Sequence, residues 1–145
     1  MAERTERVVL NQLIETCRDG ARGFRSAAEH VNEPGLKATF MEMAAQRDRF
    51  AADLLPHAQR LGGTNASDGT TAAAMHRGWI DIKSKLRHDD GAIVAEAARG
   101  DGVTLQVFKD AVAGLLPPDT RVLFERQFSE VNAAHARISA LNAPA

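Results

Sequence analysis

Two short stretches concentrate the acids, bases and glycines from which a buried site could be built. Residues 15–24 read ETCRDGARGF, and residues 96–105 read EAARGDGVTL. Each opens with Glu-x-x-Arg, at Glu15 with Arg18 and at Glu96 with Arg99, and each then sets a glycine beside an aspartate. On helices, the chemistry that such acids offer is metal ligation. A di-iron carboxylate centre takes one Glu from each of two helices and a Glu-x-x-His from each of two others, because positions i and i+3 share a face. None of the nineteen acids here is followed three positions on by a histidine. The nearest approximations are Asp53 with His57, one turn apart but straddling Pro56, and Glu130 with His135, whose five-residue spacing points them to different sides. No catalytic, cofactor-binding or metal residue is therefore assigned, and no cofactor is expected.

The other routes to chemistry are equally bare. Cys17 is the single cysteine and lies on an apolar helical stripe, which predicts a buried, inert thiol. There is no nucleophile and base pair, phosphate loop or nucleotide fingerprint. Eighteen Lys and Arg against nineteen Asp and Glu leave a net charge of −1, and no block of five like charges occurs, so neither nucleic acid nor membrane is expected as a partner. The start, MAERTERVVLNQL, is charged from residue 3 and lacks an apolar run. The expectation is a cytoplasmic protein of one domain, residues 1–145.

The elements that must position these residues are helices. Apolar or small residues recur three then four apart at Leu10, Leu13, Cys17, Gly20, Phe24, Ala27 and Val31, which predicts a helix over about 5–31. Asn32-Glu33-Pro34 breaks and restarts the chain, with Asn32 as the expected cap. A second helix runs to Leu61 with Leu36, Phe40, Met43, Arg47, Phe50, Leu54 and His57 on one seam, kinked near Pro56 and ended by Gly62-Gly63. After a loop, Met75, Trp79, Ile82 and Leu86 mark a narrow stripe on a helix of about 70–88. Asp89-Asp90-Gly91 caps a helix of 91–115, and Pro117-Pro118-Asp119 turns the chain into a last helix of 119–142. No segment alternates as a strand would, so the fold class is all-α. The two short connections make two antiparallel hairpins, and the long segment between them is a crossover containing an extra helix, the ferritin-like four-helix topology.

On this frame Glu15 and Glu29 fall on the outer side of the first helix, as solvated partners of Arg18 and Arg25. His30, His88 and His135 lie toward one end of the bundle, and His57 and His76 toward the other. Arg47 stands where an apolar residue belongs, and an unpaired buried guanidinium would cost several kcal/mol. The pattern predicts a mid-bundle polar network of Arg47, Asp101, Gln127 and Glu96. Gly20, Gly23, Gly100 and Gly102 would leave room for it beside the helix axes, or serve close helix packing alone.

The ordered set RDGARGFRSAAE, AAQRDRFAADL, LGG, HRGWIDIKS, EAARGD and ERQF…AAHARI resembles the bacterial ferritin-like four-helix-bundle family known only as a domain of unknown function. The resemblance spans nearly the whole chain and implies a ferritin-like fold. Ala98 and Asp101 stand where it implies longer acids. The function expected is that of a non-catalytic structural or interaction protein, stress-associated and self-associating as a homo-oligomer. The alternative is a degenerate metal-binding bundle that binds or oxidises iron through carboxylates, glutamine and water.

Overall fold

The computed structural model describes residues 2–62, 89–111 and 116–142. Among them are four helices and no strand: α1 (Ala2–His30), α2 (Pro34–Arg60), α3 (Asp90–Asp110) and α4 (Pro118–Asn142). The expected helix of 70–88, with Trp79, His76 and His88, lies outside the described residues, as do Val112 and Leu115.

Side-chain contacts fix the topology. Arg25 meets Asp48 and Lys37 reaches the Ala28 carbonyl, so α1 and α2 are antiparallel. Glu42 meets Arg137 near one end and His57 meets Thr120 near the other, so α2 and α4 are antiparallel too. In the last hairpin, Asp101 faces His135 and Phe108 stacks on Phe124 at 5.7 Å. It follows that α2 and α3 run parallel across the bundle. The end of α2 and the start of α3 therefore lie at opposite ends, and residues 63–88 join them.

The helix ends show where sequence reasoning slipped. Glu33, not Asn32, caps α2: its carboxylate accepts from the N–H groups of Gly35 and Leu36. Asn32 instead donates its backbone N–H to Asp90 at 2.8 Å, and Glu33 does the same at 2.9 Å. A carboxylate at the start of α3 thus satisfies the turn of the other hairpin, while Asp89 caps α3 through the Ala92 N–H. Helix α2 continues through Pro56 to Arg60 and is followed by Gly62, whose φ of 83° is open to glycine without strain. Helix α3 stops at Asp110 and not at 115, because Ala111 turns extended. The buried Leu116 beyond it then closes the end of the core, its carbonyl held by Arg121.

The core divides into two apolar halves. One gathers Phe24, Phe40, Met43, Ile93, Ala97 and Ile138. The other gathers Leu10, Leu13, Phe50, Leu54, Phe108, Phe124 and Val131. Besides the predicted stripe, α1 buries Ile14, Ala21 and Ala28, and α2 buries Ala44, Ala51 and Ala58. Both sets repeat every seven residues, and the alanines among them let two helices approach closely along a long hairpin.

Asp90 gives this fold an acid-sensitive tie. The N–H groups of Asn32 and Glu33 hold its carboxyl below the ordinary carboxylate value of 3.8. The folded state therefore binds this proton less readily than the unfolded chain, so the tie contributes fully above the ordinary value and is lost as pH falls through the lowered one. Asp90→Asn should lower the melting temperature at neutral pH, and the gap to wild type should narrow in acid; a gap independent of pH would show that the carboxylate charge is irrelevant.

Candidate functional site

Between the two apolar halves lies one polar layer. Arg47 is fully buried and donates from Nη1 to Asp101 Oδ1 at 2.5 Å, with Asp101 equally buried. Its Nε donates to Gln46 Oε1 at 3.0 Å, and its guanidinium carbon lies 5.2 Å from the centre of the Phe24 ring. The second oxygen of Asp101 accepts from His135 Nδ1 at 3.1 Å, which places the imidazole proton on Nδ1. One carboxylate thus holds a cation from α2 and an imidazole from α4. Helix α1 contributes space: a Cβ on Gly20 would lie 3.7 Å from Arg47 Cγ and 3.8 Å from both Arg47 Nη1 and Thr104 Oγ1. On α3, a Cβ on Gly102 would lie 3.7 Å from the His135 ring.

The predicted network is therefore right at its centre, Arg47 with Asp101, and wrong at Gln127. Gln127 is buried but donates to the Phe50 carbonyl at 3.3 Å, one turn away from Arg47. Glu96 accepts from Arg99, and Glu15 from Arg18, each pair one turn apart on its own helix. Arg25 pairs with Asp48 across the hairpin and not with Glu29, because the antiparallel register brings α2 against that side of α1. His135 sits at mid-bundle, not toward an end: α4 reaches the level of Asp101 seven residues before its C-terminus. Sequence reasoning missed His135 as a network member and missed Asp19, which is buried and engaged by Arg22. A signal existed for Asp19, since it stands beside Gly20 as Asp101 stands beside Gly100.

Cys17 lies close enough to this layer to feel its charges, yet burial pushes its thiol up to about 12, against a smaller opposing pull from Arg47. It stays a protonated, unreactive thiol in the native state.

A second polar cluster closes the far end, where α2 finishes and α4 begins. His57 Nδ1 lies 2.6 Å from Thr120 Oγ1 and 2.6 Å from Arg60 Nη2, and Arg60 also donates to Asp119 at 2.9 Å. The Arg60 hydrogen bond holds the Asp119 carboxyl below its ordinary value. Threonine, histidine and aspartate together suggest nucleophilic catalysis, but the geometry opposes it. A triad needs the hydroxyl on one imidazole nitrogen and the carboxylate on the other, whereas here both approach Nδ1, the acid at 3.9 Å. Arg60 can only donate, so Nδ1 is an acceptor and the cluster is an end clamp.

Among the described residues, no group of three or more His, Cys, Asp or Glu could hold a metal ion, and no helix is long and apolar enough to cross a membrane. These features define an all-helical bundle whose central layer is an ion pair. The chain belongs to the family described as a domain of unknown function, DUF2383, whose model matches residues 6–114. That match takes in Arg47 and Asp101 and ends before α4. No curated protein matches the chain.

The layer makes two predictions. Asp101→Ala leaves a buried guanidinium uncompensated and should cost about 3–5 kcal/mol in chemical denaturation, whereas Arg47→Met should cost far less or stabilise, since it removes the charge and keeps the volume. Equal losses from the two changes would refute the pairing as the source of the penalty. At Gly20 the 3.7 Å clearance admits one methyl, so Gly20→Ala should gain up to about 1 kcal/mol of helix propensity, while Gly20→Leu should lose roughly 1–3 kcal/mol by displacing Arg47.

Proposed function

We propose that this chain is a non-catalytic, ferritin-like bundle with a metal-free core, acting as a structural or interaction protein that associates with itself. The observation that carries this reading is the Arg47–Asp101 pair, fully buried between four helices. A di-iron pair needs several convergent carboxylates, and its positive charge excludes a neighbouring buried guanidinium. Here the position is held by a cation from the chain itself, and the central carboxylate is shared between that cation and His135. The described residues do not fit a di-iron centre. The parallel course of α2 and α3, joined by residues 63–88, supports the ferritin-like connection. A stress-associated role and a cytoplasmic location belong to the same reading.

The degenerate iron-binding alternative is separated by one measurement. Elemental analysis of protein purified without chelators should find iron and other transition metals far below one per chain. About two irons per chain with an oxo-to-metal absorption band would establish the alternative.

A further inference from the structure

The outward face of α2 departs from what a solvent-facing helix carries. A surface helix normally sets its charges opposite its buried stripe. On α2 that central line is Pro34, Ala38, Met41, Ala45, Ala52 and Pro56, all exposed, with Met41 at 47%. Between Ala45 and Ala52 the line passes between Asp48 and Arg49, and the other charges, Lys37, Glu42 and Asp53, stand on its flanks. At one end the line runs into an apolar depression formed with Ala28 and the stem of Lys37.

We propose that this face binds a second copy of the same chain, α2 against α2 in antiparallel order about a twofold axis near Ala45. The inference rests on the self-association reading and names its surface. Two features place the axis independently. Met41 projects as a knob, and Ala45, Asp48, Arg49 and Ala52 outline a four-residue hole of the kind that receives one. An antiparallel twofold near Ala45 seats Met41 of each copy over that hole in the other. The same axis brings Glu42 of one copy within one residue's rise of Arg49 of the other, because the two lie three residues before and four after Ala45, on the same flank. Glu42 reaches only Arg137, at 3.3 Å and on the surface, and Arg49 makes no ion pair among the described residues. A twofold makes every such contact twice, so one good pair becomes two. Alanines at the axis let the helices approach within the 8–10 Å of close packing.

The test is sedimentation equilibrium of the full chain across a dilution series, with helical content followed in parallel. A reversible monomer–dimer equilibrium is expected. Ala45→Glu should weaken it at least about tenfold, as like charges meet at the axis. Glu42→Arg and Arg49→Glu should each weaken it, and the double exchange should restore it, since that recreates both pairs with reversed sign. Ala133→Glu, on the exposed side of α4, should leave it unchanged. A dimer insensitive to Ala45→Glu would overturn this surface while leaving self-association intact. A monomer at every concentration would sink both, and a double exchange that fails to restore association would overturn the antiparallel register. Ala38→Glu, two turns from Ala45 on the same line, substitutes for Ala45→Glu if that variant loses helical content.

Discussion

A charge with no water around it must be answered by another, and the Arg47–Asp101 pair imposes that rule on the whole bundle. The two residues sit on α2 and α3, the helices that face each other across the core without sharing a chain turn. Sliding either helix by one residue would rotate its charge out of the layer and leave the other stranded, at a cost of several kcal/mol. Apolar contacts forgive such slips more readily, because one methyl resembles another. The pair therefore sets register where the hairpin turns cannot. His135 extends the constraint to α4 through the second carboxylate oxygen, and Gly20 extends it to α1 by leaving the volume that the Arg47 stem fills.

Much of this was legible because it depends on periodicity. Three-four spacings and the turn residues predicted the described helices to within about three residues, except where α3 ends at Asp110, ahead of an extended Ala111. Arg47 was legible as an anomaly, a cation on an apolar seam, and Asp101 as an acid on an inward face. What stayed hidden depends on the relative height of different helices. The place of His135 beside Asp101 and the pairing of Arg25 with Asp48 follow from interhelical register, which no single helix encodes. The second alanine stripe was passed over for another reason: alanine is a good helix former on any face, so its spacing is a weak signal until a neighbouring helix gives it direction.

The polar groups at the two ends obey the same economy as those at the centre. Asp90 spends both oxygens on backbone N–H groups of the opposite hairpin, and Arg60 spends its guanidinium on His57 and Asp119. Each ties elements distant in sequence. Among the described residues, Arg47, Asp101 and His135 at the middle, Asp90 at one end and His57, Arg60 and Asp119 at the other are thus occupied in holding one helix to another.

The glycine and aspartate pairs in the middle of α1 and α3 acquire their meaning from this layer. A four-helix bundle that gathers several carboxylates at its centre needs a multiply charged ion to cancel their repulsion, and its stability then depends on metal supply. One carboxylate and one guanidinium cancel without help, but a guanidinium is bulkier than an ion and needs room beside a backbone. Gly20 supplies that room on α1 at a helix-propensity cost of about 1 kcal/mol, smaller than the penalty of an unanswered buried charge. Both charges of the layer are thereby fully buried, and His135, bonded to the same carboxylate, keeps a partly exposed ring. The contact proposed with a second copy is of the opposite kind, made on the outer face of α2 where Ala38, Met41, Ala45 and Ala52 lie exposed beside Asp48 and Arg49.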